Sequence, residues 1–247
     1  MKKYLIPAFI LLISISVSSQ VLDIKPQSMA ESSKENKYNI TANYPLIDFG
    51  PNALMGVRGI ANDINTAISD VITGLINPFK EQVIADTSTC PQPDNTMEIN
   101  YRTLYRENDY LSFMFETFSD PRCAAHPMTF RTSFNYSYTS KGLLTIDSLF
   151  APGSGWLEYI SENCIKELKA QAKKDQMDNI DDMITSGASA KPVNFNTFTI
   201  NNQSLEITFN LYQVGPYVWG FRTVSIPWKA LYKMIDPSGP VAFLVGK

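Results

Sequence analysis

The chain has 247 residues, a formal net charge of −3 at pH 7, one histidine and three cysteines. The acid excess argues against nucleic acid as a partner, because binding to nucleic acid needs a basic face. The length is ample for a buried core, and the single histidine and the lack of a Cys-x-x-Cys pair exclude the usual zinc sites, so we expect no metal and no cofactor.

The first nineteen residues are typical of a secretory signal peptide. Lys2 and Lys3 form the charged region, residues 4–17 are apolar, and Val17-Ser18-Ser19 suits cleavage before Gln20. A membrane span needs roughly 20 apolar residues, so an uncleaved anchor is the weaker alternative. Cleavage leaves 19 basic side chains against 24 acidic ones, a net charge of −5. We therefore expect an exported protein, periplasmic or extracellular, with no stable membrane anchor after cleavage.

Residues 20–42 are polar, and we predict a flexible lead-in there. We expect a single folded domain over residues 43–247, with sub-regions of about 43–150 and 151–247. Its first element is a long amphipathic helix, because apolar residues recur at three- and four-residue steps. These residues are Val57, Ile60, Ile64, Ile68, Val71, Ile72, Leu75, Ile76 and Phe79. So wide a stripe must lie across a sheet or another helix, and Pro78 is expected to end or kink the helix.

Strands are expected after this helix, because aromatic and β-branched residues alternate with polar ones. The strand-like runs are residues 97–105, 110–118, 130–138 and 143–146. A second helix is expected over about Gly155–Lys173, with a short third helix capped by Asp175. Two more strands are expected over residues 193–200 and 205–212.

The C-terminal region completes the predicted fold. Its aromatic stretch is predicted to form another strand, and Pro227 to start a short helix over residues 228–235. Helices and strands fall into separate blocks along the chain, which indicates an α+β fold. We expect an antiparallel sheet or sheets packed against the long N-terminal amphipathic helix and two or three further helices.

The three cysteines of an exported chain predict one disulfide and one spare thiol. Antiparallel pairing of the runs 97–105 and 110–118 brings Cys90 and Cys123 together at the open end of the pair. We therefore predict a Cys90–Cys123 disulfide, with Cys164 free and buried on a helix. A Cys123–Cys164 disulfide is the alternative.

Residues 212–231 form the most informative stretch, because large aromatic side chains surround a Gly-Pro corner. A corner places side chains in solvent, and tyrosine brings a large contact area at low entropic cost. We therefore predict that Pro216 and Tyr217 bind a partner, together with Tyr212 and Trp219. Core packing is the competing interpretation for the strand face that Tyr217, Trp219 and Phe221 would share.

His126 is the only histidine, and we expect it to hydrogen-bond in a turn or to contact the partner. A general base needs a positioned partner, and no nucleophile motif lies near it in the sequence. Paired carboxylates such as Asp181 and Asp182 fall on polar helix faces, which solvation explains. We therefore predict no catalytic residues, and an enzyme with an unrecognised site is the weakest hypothesis.

Several short motifs occur in a characteristic order. The later ones are the apolar strand 209–212, Val214-Gly215-Pro216-Tyr217, Gly220 and Ile226-Pro227. The earlier ones are Tyr44-Pro45, the helix segment 59–65, Ala125-His126-Pro127 and Ser148-Leu149-Phe150. Taken together they resemble the PdaC/RsiV-like domain family over about residues 44–236.

Members of that family form the extracellular part of lysozyme-sensing anti-sigma factors and the non-catalytic region ahead of deacetylase domains in cell-wall enzymes. The resemblance implies a non-enzymatic binding module of the bacterial envelope, here as a stand-alone exported domain. Its expected partner is a basic lysozyme-type muramidase, attracted by the acidic surface. A peptidoglycan-binding module that uses the same aromatic residues is the alternative, and the oligomeric state stays open.

Overall fold

The computed structural model describes residues 23–51, 53–86, 94–107, 110–138 and 140–244. The predicted signal peptide lies outside these ranges, so its cleavage stays a prediction. Within these ranges, no helix has both the length and the hydropathy that a bilayer span requires.

A six-stranded sheet dominates the first half of the chain, with its strands side by side in chain order. The strands are β1 (Asp23–Ser33), β2 (Tyr38–Asp48), β3 (Asn95–Glu107), β4 (Tyr110–Asp120), β5 (Met128–Ser137) and β6 (Gly142–Leu143). Neighbours pair antiparallel except β2 and β3, which are parallel. Helix α1 (Met55–Ala85) supplies the long crossover that a parallel pair requires.

The flexible lead-in predicted over residues 20–42 is wrong for its described part, because residues 23–33 form β1 and residues 38–42 begin β2. β1 is an edge strand with polar, mostly exposed side chains, and backbone bonds to β2 hold it along its whole length. In β2, Tyr38, Ile40 and Ala42 are buried and alternate with exposed residues. Strand pairing therefore ordered a segment whose composition alone suggested disorder.

Helix α1 covers one face of the sheet with the stripe that the sequence predicted. Its buried residues are Ala61, Ile64, Ile68, Ile72, Ile76, Phe79 and Val83. The helix continues past Pro78 to Ala85. Pro78 and Gly74 are both exposed, so water can bond the Gly74 carbonyl that the proline leaves unpaired. Packing of Ile76 and Phe79 on the sheet holds the helix together across that position.

The second half contains a three-stranded antiparallel sheet with helices packed on it. Its elements are α2 (Trp156–Lys174), α3 (Asp181–Gly187), β7 (Phe198–Ile200), β8 (Ser204–Phe209), β9 (Arg222–Pro227) and α4 (Trp228–Leu231). Of the predicted inner positions of α2, Ile160, Cys164 and Leu168 are buried, whereas Leu157 is half-buried. The α+β prediction is confirmed, with a first sheet that is mixed.

A buried asparagine joins the two sheets. Asn135 of β5 donates through Nδ2 to the carbonyl of Phe198 in β7 at 2.8 Å and accepts from the Ser112 hydroxyl at 2.8 Å. The Phe198 amide in turn donates to Ser133 Oγ at 3.1 Å. A buried side chain that is hydrogen-bonded through both its amide nitrogen and its carbonyl oxygen favours one arrangement, because any slip would break these bonds. These bonds therefore set how β7 meets the edge of β5.

Cys164 is a free, buried cysteine on α2, as the sequence predicted. This finding removes the Cys123–Cys164 alternative. Cys90 lies outside the described residues, so the Cys90–Cys123 disulfide stays a prediction.

Cys164 is expected to resist alkylation in the folded protein. Burial raises the pKa of its thiol from 9.0 to about 12, and only the thiolate is nucleophilic. Because the pKa of the thiol is higher in the folded state, the protonated thiol stabilises the folded protein below pH 9.0. This stabilisation is lost as the pH rises toward about 12. Iodoacetamide at pH 8 followed by mass spectrometry should modify no thiol in the native chain, and unfolding free energy should fall in alkali.

The same measurement tests the disulfide. Unfolding without reductant should expose one reactive thiol, Cys164, and prior reduction should expose three. The closed loop would stabilise the chain by about 3 to 4 kcal/mol in the chain-entropy estimate. Three reactive thiols without reduction would contradict the predicted pairing.

Candidate functional site

Three predicted site residues meet at the surface: His126, Tyr212 and Tyr217, which we call the aromatic patch. The ring centroids of His126 and Tyr217 lie 4.7 Å apart, and those of Tyr212 and Tyr217 lie 5.7 Å apart. All three residues are exposed. They come from three segments: the loop before β5, the turn after β8 and the 3-10 turn Tyr217–Trp219.

Hydrogen bonds hold the imidazole between the two tyrosines. Nδ1 of His126 lies 2.9 Å from the carbonyl oxygen of Pro127, and Nε2 lies 3.2 Å from the Tyr212 hydroxyl. A carbonyl only accepts, so Nδ1 carries the proton, and Nε2 of the neutral ring accepts from the Tyr212 hydroxyl. The Tyr217 hydroxyl reaches the same Pro127 carbonyl at 3.5 Å. His126 thus has the turn hydrogen bond expected of it.

Tyr212 adopts a backbone conformation that is uncommon for any residue except glycine, with φ at 64°. Such a conformation costs about 1–3 kcal/mol and persists only where the surroundings impose it. Here the Gln213 amide donates to the Asn210 carbonyl at 3.1 Å, and the Asn210 amide donates to Gln213 Oε1 at 3.0 Å. The strand predicted over residues 205–212 accordingly ends at Phe209, and the tight turn directs the Tyr212 ring toward His126.

The side chain of Gln213 anchors this turn to the protein. Its Nε2 donates to the carbonyls of Asn194 at 2.9 Å and Gly187 at 3.2 Å. Asn210 also bonds both backbone groups of Arg131, with Nδ2 to the carbonyl at 3.0 Å and the amide to Oδ1 at 2.7 Å. The exposed patch therefore rests on a rigid base, as a preorganised binding surface requires.

The predicted role of Trp219 as a partner-binding residue is wrong, because its side chain is only 4% exposed. Its indole Nε1 donates to Asp175 Oδ2 at 3.1 Å, and the Arg222 guanidinium lies 4.5 Å from the ring centroid. The error arose because a strand would place Tyr217 and Trp219 on the same face. The chain instead forms a 3-10 turn, which directs Tyr217 outward and Trp219 inward. Trp219 supports the turn from below.

Pro216 is half-buried and begins this 3-10 turn, in which its carbonyl accepts from the Trp219 amide at 2.9 Å. Val218, which the sequence did not single out, is 82% exposed beside Tyr217. An alternating pattern would have placed Val218 on the face opposite Tyr217, so no sequence signal marked it. The corner thus presents Tyr217 and Val218, with Pro216 fixing their direction.

The patch offers rings, two hydroxyls and one imidazole at the surface. The ring of His126 contacts the rings of both tyrosines. Within the described part of the chain, no cluster of three or more His, Cys, Asp or Glu side chains could hold a metal ion. Aromatic area with a few hydrogen-bonding groups is the composition of interface hot spots.

Comparisons with known proteins agree with the motifs. Residues 147–229 match the family model "Protein of unknown function (DUF3298)". The peptidoglycan-N-acetylmuramic acid deacetylase PdaC of Bacillus subtilis strain 168 is 26% identical over 141 residues. That alignment spans 57% of this chain and 29% of PdaC, so the chain matches less than a third of the length of this relative.

Two solved structures share the fold. A DUF3298 family protein from Pseudomonas aeruginosa PAO1 has a TM-score of 0.62 at 10% identity and covers 89% of this chain and 95% of its own. A DUF3298 member from Bacteroides fragilis NCTC 9343 has a TM-score of 0.58 at 13% identity and covers 92% of this chain and 98% of its own. This chain therefore resembles DUF3298 proteins in fold and matches their family model over residues 147–229, and Tyr212 and Tyr217 of the aromatic patch lie in the matched part.

Proposed function

We propose that this protein is a non-catalytic, exported binding module of the bacterial envelope that docks a basic lysozyme-type muramidase through the aromatic patch. The convergence of His126, Tyr212 and Tyr217 carries the proposal. Three separate segments meet there, and the strained backbone of Tyr212 holds a ring in solvent. Exposed, rigid tyrosines are typical anchors for a partner protein, because little entropy is lost when they bind.

Charge complementarity supports a basic partner. The chain without residues 1–19 has a net charge of −5, and opposite net charges raise the rate of association at low salt. The binding of a basic enzyme should therefore weaken as the salt concentration rises. A neutral or acidic partner would show no such dependence.

The surroundings of His126 support a non-catalytic role. General base catalysis needs a nucleophile within hydrogen-bond reach and a group that orients the base. The imidazole instead bonds a backbone carbonyl and a tyrosine hydroxyl. That arrangement fixes rings in place for contact.

Export is part of the proposal, and it rests on the N-terminal segment and on the likeness to PdaC, whose name assigns it a peptidoglycan substrate. Expression with the native N-terminus in a bacterial host should release a chain that begins at Gln20. N-terminal mass spectrometry of the envelope fraction checks this, and an intact Met1 would contradict it.

Peptidoglycan binding is the second candidate, favoured by the name of that relative. The exposed faces of Tyr212 and Tyr217 could then stack on sugar rings. Sedimentation with purified cell wall separates the candidates, because a glycan binder would pellet with the wall in the absence of any lysozyme.

Titration calorimetry of the mature chain with a basic lysozyme tests the first candidate. We expect saturable binding at 20 mM salt that weakens at least tenfold at 300 mM salt, which are typical low and high conditions for exposed charges. An acidic protein of similar size is the control. Absence of binding at the lower salt concentration would overturn the proposal.

A further inference from the structure

A second candidate site lies away from the aromatic patch, in a cleft of about 520 Å³ between the C-terminal half of α1 and the edge of β5. Phe79, Met97 and Thr117 are buried lining residues and form its floor, while Pro78, Gln82 and Phe130 form its exposed rim. Its volume falls within the range of small-molecule sites, about 300–1,000 Å³.

The cleft contains a buried hydroxyl without a partner. Thr117 is only 3% exposed, and its Oγ1 makes no hydrogen bond. Thr117 pairs directly with Phe130 across β4 and β5, so both side chains stand on the same face of the sheet. An unpaired buried hydroxyl destabilises a protein, and a ligand that enters the cleft with a polar group could bond it.

The lining also limits the charge of the ligand. Among the described lining residues, Arg131 is the one ionised side chain. Its Nε donates to Glu116 Oε2 at 2.9 Å, and its guanidinium lies 3.9 Å from the ring centroid of Phe221. Since the cation is already paired and stacked, the cleft has no unpaired charge with which to bind a carboxylate or a phosphate, and a neutral ligand fits best.

We propose that this cleft binds a neutral, N-acetylated oligosaccharide. The methyl group of an acetamido substituent packs on Phe79 and Met97, and its polar atoms bond the Thr117 hydroxyl. The face of a sugar ring stacks on Phe130, whose side chain is 44% exposed. A fatty acyl chain fits less well, because it would leave Thr117 unpaired and its carboxylate without a cation.

The inference goes beyond protein docking, because His126, Tyr212 and Tyr217 are not among the residues that line the cleft. It also gives the glycan-binding alternative a site of its own. The two sites can therefore be inactivated separately.

Titration calorimetry of the mature chain with chitotetraose, in the absence of lysozyme, tests the site. We expect binding that weakens at least tenfold in Phe130→Ala and at least fivefold in Thr117→Val. The valine keeps the branched shape, and the hydroxyl it removes has no partner, so the melting temperature should not fall. Cellotetraose, which lacks acetamido groups, should bind at least tenfold more weakly.

Tyr232→Ala is the matched control, because Tyr232 is 54% exposed and lies outside both the cleft lining and the aromatic patch, and it should leave chitotetraose binding unchanged. No binding of chitotetraose at millimolar concentration, or equal binding by both cleft variants and the wild type, would overturn the site. Preferential binding of dodecanoate would also overturn it and assign the cleft to acyl chains. If the wild-type chain binds chitotetraose but not lysozyme, the proposed function is wrong and this inference stands. If it binds lysozyme but not chitotetraose, this inference is wrong and the proposed function stands.

Discussion

Replacing Tyr217 with alanine is expected to weaken lysozyme binding by about 10- to 100-fold, which corresponds to about 1.4–2.8 kcal/mol. Tyr217 stands at the tip of the corner, and its ring contacts those of His126 and Tyr212, which are both exposed. Its loss removes contact area from the centre of the patch and leaves the core intact. Calorimetric titration measures the affinity, and a thermal melt should show no large change in stability.

Tyr232→Ala is the matched control for this variant. Tyr232 is 54% exposed after α4, and its ring contact is with Lys233 Nζ at 5.7 Å from the centroid. The Tyr232→Ala variant therefore removes the same type of side chain from another part of the surface. Equal losses of affinity in the two variants would show that the patch is not where lysozyme docks.

Replacing Gly187 with alanine is expected to destabilise the protein by about 3 kcal/mol or more, since a new methyl group would collide with backbone. A Cβ at this position would lie 1.8 Å from the carbonyl oxygen of Gln213 and 2.7 Å from its carbon. The chain around Gln213 would have to shift, and the bond from Gln213 Nε2 to the Gly187 carbonyl would be lost. Because Gln213 anchors the turn of Tyr212, lysozyme binding should weaken as well.

Gly74→Ala is the control for this prediction. Gly74 is exposed within α1, and a Cβ there would meet no atom within 4 Å. Alanine in a helix interior is favoured over glycine by about 0.5–1 kcal/mol, so this variant should be more stable. Urea unfolding compares the two, and a Gly187→Ala variant as stable as the wild type would contradict the close approach of α3 to residue 213.

Local periodicity predicted most of the elements. The stripe of α1 could be predicted because its apolar residues recur at steps of three and four. This spacing is enough to place them on one face of a helix. The inner positions of α2 were predicted from the same helical spacing, and the runs of β3 and β5 were predicted from the alternation of apolar and polar residues. β1 was missed because most of its side chains are exposed and show no clear alternation, and its order depends largely on backbone pairing with β2.

The site was partly predictable. The Gly-Pro corner marked Tyr217 as exposed, because turn chemistry is local. The burial of Trp219 was not predictable from alternation, because the chain forms a 3-10 turn there. The left-handed backbone of Tyr212 was not predictable either. Bonds from the neighbouring Gln213 to Asn194 and Gly187, which lie elsewhere in the chain, impose it.

The α+β class, the long helix and the exposed Gly-Pro corner could be predicted from the sequence, because each depends on residues that are neighbours along the chain. Two features became visible in the folded chain alone. His126 contacts Tyr212, which is 86 residues away in the sequence, and Thr117 has an unpaired hydroxyl at the floor of a cleft. Contacts of this kind depend on the path of the whole chain and on which strands pair. No local sequence pattern predicts them.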